Sequence, residues 1–143
     1  MAPQLAQQSI ELQFDVARDT EFHADPDQFK QVLINLVKNA AESIAHDGVI
    51  TLRARTGTGQ LKGNADAVTI IEVEDTGDGI PEEIQAKIFD PFFSTKPQGN
   101  GLGLAVSAHI IELDGGRLEF DSRVGQGTIF RIMLPALPKK PIA

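Results

Sequence analysis

The chain has no cysteine, which excludes a disulfide framework and any thiolate metal site and fits a reducing compartment. No apolar run approaches the roughly twenty residues that a bilayer-crossing helix needs, and no signal-peptide pattern is present. The expected location is therefore cytoplasmic, with any membrane anchor of a parent protein lying outside this segment. Basic residues are also few: 13 Lys and Arg face 20 Asp and Glu, a formal net charge of -7. A surface with that excess repels nucleic acid and anionic lipid, and no Lys/Arg cluster offsets it. Internal repeats and low-complexity tracts are missing as well. What remains is ordinary globular composition, 41% hydrophobic and 23% charged over 143 residues, enough for one domain with a two-layer core.

Residues 10–16 alternate apolar and polar, with Ile10, Leu12, Phe14 and Val16 on one side, and predict a half-buried strand. Asp25-Pro26-Asp27-Gln28 predicts a helix start, with Asp25 as N-cap, Pro26 at the first helical position and Gln28 placed to close a capping box. This helix should run to about His46 and stop before Gly48, with Phe29, Leu33, Leu36, Ala40 and Ile44 as its apolar stripe. Strands are expected over 50–54 and 68–73, joined by a solvated hairpin loop rich in Gly, Thr and Asn over 56–64. A short helix over 81–88, an irregular loop over 89–100 and a helix over 101–114, ended by Gly115-Gly116, come next. Strands over 117–121 and 128–134, joined by a Gly125-Gln126-Gly127 turn, close the domain. This order predicts an α/β two-layer sandwich, a mixed and mostly antiparallel sheet of about five strands covered on one face by about three helices. Residues 1–9 read as a flexible lead, 10–135 as the domain and 136–143 as a flexible tail.

Two glycine-rich elements carry most of the chemistry. Asp75-Thr76-Gly77-Asp78-Gly79 puts a carboxylate at the end of an apolar strand, on the same side as Ile71 and Val73. A carboxylate on an apolar face needs donor partners. It reads either as a turn aspartate or as an acceptor for the exocyclic amine that separates adenine from guanine. Gly99-Asn100-Gly101-Leu102-Gly103-Leu104 opens a helix, and helix N-termini bind anions through free N–H groups and the dipole. It is neither a Walker loop nor a dinucleotide fingerprint. Together the two elements suit a purine nucleotide with a phosphate tail, here ATP.

The long helix adds Asn35, Asn39, Glu42 and His46 on one side. Two asparagines mid-helix are poor helix formers. They mark either a solvated polar face or neutral oxygen donors for a hard cation such as Mg²⁺. The loop Phe89-Asp90-Pro91-Phe92-Phe93-Ser94-Thr95-Lys96 exposes three aromatics around a lysine, and reads as phenylalanines anchored in the core or as a lid offering Lys96 to a phosphate. His109 shares a helical face with Leu102, Val106 and Leu113 and reads as partly buried. His46 suits a helix C-terminus, and His23 lies in a loop.

Taken together, these residues resemble the catalytic and ATP-binding domain of sensor histidine kinases, within the superfamily shared with gyrase, the mismatch-repair ATPase and a heat-shock chaperone. Residues 35–40 resemble the family's asparagine box, Asp75 to Ile80 its first glycine box, Asp90-Pro91-Phe92 its phenylalanine box and Gly99 to Leu104 its second glycine box. Gly125 to Phe130 and Leu134-Pro135 are similar to its closing element, and the Phe92-to-Lys96 run is similar to the nitrogen-regulation-type subgroup. The resemblance implies a Bergerat-type ATP-binding fold in which Asn39 coordinates Mg²⁺ and Asn35 supports metal and phosphates. Asp75 would bind the adenine amine, with Thr128 sharing that contact. Gly77 and Gly79 would let backbone pass close to the ring, and Ile80 and Phe130 would line the adenine pocket. Gly99, Gly101, Leu102, Gly103 and Leu104 would hold the phosphate tail. Many members carry Lys three residues after the second asparagine; here that position is Glu42, so Lys96 or Lys38 becomes the candidate phosphate contact.

The superfamily's ATP hydrolases place a glutamate base four residues before the metal-binding asparagine. This chain has Asn35 there, and an amide cannot accept a proton from attacking water. The expected activity is transfer of the γ-phosphate to a histidine on a separate dimerisation domain of the same parent protein, with a response regulator downstream. No acceptor histidine in the family's sequence setting is found here, so the chain reads as half of an enzyme, monomeric in isolation. An anti-sigma-type serine kinase and a nucleotide-binding-only module are the alternatives.

Overall fold

The computed structural model describes residues 9–16, 22, 24–44, 47–61, 64–91, 93 and 103–136. Five strands, β1 (Ile10–Val16), β2 (Gly48–Leu61), β3 (Asn64–Asp75), β4 (Arg117–Arg123) and β5 (Gly127–Pro135), form one sheet in the order β1-β2-β3-β5-β4. β1 runs parallel to β2, and every other pairing is antiparallel. Three helices, α1 (Pro26–Ile44), α2 (Glu82–Gln85) and α3 (Gly103–Leu113), complete the described elements. The α/β sandwich expected from the sequence is therefore observed.

The helix ends follow from their capping chemistry. The Asp25 carboxylate accepts the backbone N–H groups of Asp27 (2.9 Å) and Gln28 (3.0 Å), so the cap expected there forms. The chain leaves α1 through Asp47, whose φ is +53°. At the end of α3, Gly116 N–H reaches the Ile111 carbonyl and Gly115 N–H the Glu112 carbonyl, with Gly115 at φ +83°. This paired closure requires a left-handed residue at Gly115.

The main core lies between the sheet and the helices. Leu36, Ile50, Ile111, Ile132 and Leu134 are fully enclosed there. On α1, Val32, Val37 and Ala41 are buried beside the expected Leu36 and Ala40, so the apolar face is broader than the stripe read from spacing. β1 is buried only at Ile10. Phe14 and Val16 are exposed on this edge strand.

Three further expectations change. The 56–64 stretch is not a solvated loop: β2 continues to Leu61 and β3 begins at Asn64, with register intact from Thr56↔Thr69 to Leu61↔Asn64. Gly57 and Gly59 occur because side chains of the opposite strands cross over them. A Cβ at Gly59 would meet the Met133 methyl at 2.5 Å, and one at Gly57 would meet Ile70 at 3.0 Å. Val68, Ile70 and Met133, with Leu61, form a second apolar cluster on the sheet face away from the helices. The short helix covers only Glu82–Gln85. His109 is exposed rather than partly buried, as are Val106 and Leu113; α3 turns Ser107 and Ile111 inward instead.

The helix-free face also carries a buried carboxylate. Glu72 is 7% exposed and accepts from Arg55 (2.6 Å) and Arg131 (3.0 Å). Burial alone would push Glu72 upward, but the two guanidiniums outweigh it and hold its pKa below the ordinary value. Its stabilisation is present above the unfolded carboxylate pKa and disappears as pH falls through the lowered folded value. Glu72→Gln should cost about 2 kcal/mol at neutral pH, less than a fully buried pair because Arg55 is half exposed. Urea titrations at pH 7 and under acid would show the gap closing on acidification; equal curves at pH 7 would show the pairs to be idle.

Candidate nucleotide site

Asp75 is the last residue of β3 and is 3% exposed. Strand parity turns it toward the helices with Ile71 and Val73, as the alternation predicts. Its carboxylate accepts the Gly77 N–H at 2.8 Å and the backbone N–H of Thr128, its register partner on β5. Burial, the largest influence, raises its pKa; the two N–H groups work against that rise and the neighbouring Glu74 charge adds to it. The result is an acceptor on an apolar wall, desolvated and oriented by backbone.

The glycine loop after Asp75 is wedged between α1 and the β4–β5 turn. Asp78 N–H points to the Ser43 carbonyl (3.4 Å), and Gly125 N–H donates to the Asp78 carbonyl (2.8 Å). Gly77 lies on Ser43 so tightly that a Cβ would overlap it, and Gly79, at φ +79°, faces the Arg123 carbonyl in the same way. Both glycines are therefore required by protein backbone before any ligand is considered. Thr76 adds a side-chain tie, its hydroxyl accepting Val49 N–H at 3.0 Å.

Ile80 follows the loop, half-buried against the core, and Phe130 is 4% exposed with its ring 6.0 Å from Phe120. Thr128 is 3% exposed. Its hydroxyl lies 2.8 Å from that of Ser122, which also accepts Ile80 N–H at 2.7 Å. Asp75, Thr128 and Ile80 are thus brought into one connected patch. A cleft of about 490 Å³ at this end of the sheet is lined by Asp75, Ser122 and Thr128, and also by Glu74, Asp121 and Ile129 of the helix-free face. Ile80 and Phe130 do not line it.

Asn35 fastens α1 to α3. Its amide nitrogen donates to the Ser107 hydroxyl (3.2 Å) and approaches the Gly103 carbonyl (3.4 Å), while its oxygen accepts from Gln31 (3.1 Å). The asparagine box is thereby joined to the first two turns of α3, which begins at Gly103 within the second glycine box. Asn39 lies one turn further along α1, half-buried; Lys38 and Glu42 are exposed. Leu104 packs on the core, and Gly103 has room for a Cβ. Phe89 meets Phe120 edge-on at 5.7 Å and Phe93 packs on the core, so these two anchor the loop instead of lying exposed. Lys96, Gly99, Gly101, Leu102, Phe92, His23 and His46 lie outside the described residues.

Sequence reasoning missed Ser43, Ser107 and Ser122. Ser43 continues the Asn35–Asn39 spacing by another four residues, a signal that was available. Ser107 and Ser122 act through contacts between distant elements, which spacing does not reveal.

Residues 24–138 match the family described as histidine kinase-, DNA gyrase B- and HSP90-like ATPase. The chain belongs to this family. Among curated relatives of this ATPase family, the sensor kinase CckA of Brucella abortus (strain 2308) is 44% identical over 93% of the chain, and the sensor histidine kinase ZraS of Klebsiella oxytoca 44% identical over 78%. The chain spans 15% and 23% of the length of those two proteins. Among solved structures, the nucleotide-free catalytic domain of histidine kinase ThkA has a TM-score of 0.76 at 34% identity, covering 94% of this chain and 84% of that one. Full-length ShkA in complex with AMPPNP has a TM-score of 0.79 at 28% identity, covering 97% of this chain and 28% of that one. The names of these ATPase-family relatives do not draw the nitrogen-regulation-type subgroup. Among the described residues, no helix of this family member is long and apolar enough to cross a membrane.

Proposed function

We propose that this chain is the ATP-binding catalytic domain of a sensor histidine kinase, transferring the γ-phosphate of ATP to a histidine on a separate dimerisation domain. The observation that carries this reading is Asn35. At the position where the superfamily's hydrolases hold a glutamate base stands an amide already bonded to Ser107 and Gln31, unable to take a proton from water. A site that holds ATP without activating water conserves the phosphoryl group for a better nucleophile, and catalysis then rests on positioning and charge stabilisation. The named sensor kinases among the relatives support the reading. So does the solution of the related ShkA with AMPPNP. Related ThkA has been solved in complex with the response regulator protein TrrA, which supports a response regulator as the downstream partner.

In this reading Asp75 accepts the adenine amine, Thr128 shares the base, Ile80 and Phe130 form the apolar wall, and Gly103 and Leu104 lie at the phosphate end. The donor set suits Mg²⁺. The half-buried Asn39 supplies a neutral amide oxygen of the hard kind that Mg²⁺ takes alongside phosphate oxygens and water. When bound, the ion would neutralise phosphate charge. Asn39→Ala is expected to abolish the Mg²⁺-dependent part of ATP binding, about tenfold or more in Kd. Calorimetry with Mg²⁺ and with a chelator checks this; identical Mg²⁺ dependence in variant and wild type would remove Asn39 from the metal.

The proposed transfer is tested by incubating the domain with γ-labelled ATP and a separate histidine-bearing helix pair from a related kinase. Acid-labile label on the helix pair is expected. Acid-stable label on a serine protein would favour the anti-sigma-type alternative, and ATP binding with no label anywhere would favour a binding-only module.

A further inference from the structure

α3 carries three polar side chains, Ser107, His109 and Glu112. His109 and Glu112 face solvent, whereas Ser107 is fully buried on the side that also turns Ile111 inward. A buried hydroxyl is costly unless it is hydrogen-bonded, and alanine would be the better helix former there. What Ser107 meets is Asn35, whose amide nitrogen lies 3.2 Å from the hydroxyl and 3.4 Å from the Gly103 carbonyl one turn earlier on α3. The tie does not depend on which end of the amide faces the hydroxyl, because a hydroxyl both donates and accepts. The Gly103 carbonyl, which only accepts, selects the nitrogen.

We propose that Ser107 is a positioning residue for the phosphate tail, holding α1 and α3 in the register at which both reach the same phosphates. This rests on the kinase reading, in which Asn39 offers its oxygen to the metal and α3 begins at the phosphate end. Asn39 lies one turn beyond Asn35 on α1, and Gly103 one turn before Ser107 on α3. The Asn35–Ser107 bond therefore sits one turn from each of the two groups that must act together. Apolar packing between helices is non-directional and sets no register by itself. A hydrogen bond fixes distance and angle, and a misplacement of about 1 Å at such a site can cost about 100-fold. The base end is held separately, with the Asp75 carboxylate on the N–H groups of Gly77 and Thr128. Losing the Ser107 hydroxyl should thus reach the phosphates and leave the base alone.

The test uses the whole chain and calorimetric titration with adenosine, ADP and ATP in the presence of Mg²⁺. In wild type, affinity is expected to climb from adenosine to ATP as phosphates are added. Ser107→Ala should leave adenosine unchanged and weaken ATP about tenfold, the worth of one hydrogen bond. In an Asn35→Ala background, Ser107→Ala should narrow the gap between adenosine and ATP no further, because it acts through that amide. A merely structural Ser107 would lower the melting temperature and scale all three ligands alike. That result overturns the proposal, and so does an unchanged gap between adenosine and ATP. If Ser107→Ala does not fold, Ser107→Cys, of similar size but a weak hydrogen-bonding partner, carries the same comparison. Failure of the underlying reading looks different: wild type itself would then gain nothing from the phosphates, and the proposal would fall with it.

Discussion

Gly127→Ala is expected to lower the melting temperature by roughly 10 °C, and Gly125→Ala, two residues earlier in the same turn, by only a few degrees. Both glycines have positive φ, +118° for Gly127 and +82° for Gly125. Each alanine therefore carries a backbone penalty of about 1–2 kcal/mol. The difference lies in what the new methyl meets. Around Gly125 nothing lies within 4 Å, whereas at Gly127 a Cβ would overlap the Asp75 carbonyl oxygen and approach the Thr76 Cα. That obstacle is backbone of the central strand and cannot rotate away, so about 1–3 kcal/mol of overpacking is added. Against a total stability of about 5–15 kcal/mol this is a large fraction. Thermal unfolding followed by circular dichroism decides it. Equal shifts for the two variants would mean that the β5 start can move away from β3, and that Asp75 is held less firmly than its contacts indicate.

The second large effect concerns Asp75 itself. Asp75→Asn is expected to reduce the preference for ATP over GTP by about 10- to 100-fold, since an amide can donate to guanine's carbonyl as well as accept from adenine's amine. Stability should respond in the other direction. Burial raises the folded pKa of Asp75, so its ionised form is disfavoured by folding. Its contribution to stability is fully present below the unfolded pKa and is lost as pH rises through the raised folded value. At neutral pH the asparagine variant should therefore melt no lower than wild type, provided its remaining oxygen serves Gly77 N–H. ATP affinity of wild type should also fall on acidification as the carboxylate protonates, starting above the ordinary aspartate range, while the variant stays flat. Nucleotide titrations across pH, paired with melting curves, test both halves. An unchanged ATP/GTP ratio would exclude Asp75 from base recognition.

How much of this was visible in the sequence differs by element. The cap at Asp25, the inward side of Asp75 and the paired-strand architecture depend on local periodicity and short-range chemistry, and these were legible. That the two strands of the hairpin stay paired through 56–61 and 64–69 was not, because Gly57 and Gly59 imitate turn glycines. They are there to leave room for Ile70, Val68 and Met133, a demand made by other strands. His109 was misread because α3 is apolar nearly all round, and a serine marks its buried side: Ser107 faces inward to meet Asn35. Ser122 looked like any polar residue at a strand end. Its meaning comes from the register with Thr128 and from the loop that returns to it at Ile80.

The fastening of Asn35 to Ser107 has a consequence for timing. On the reading proposed here, nucleotide entering this domain is neither consumed at once nor quickly turned over, so the site stays charged between signals. The pace of signalling then passes to whatever brings a histidine within reach. A stimulus that changes only the approach of two domains can control output without altering ATP affinity, and background phosphorylation is set by how rarely they meet.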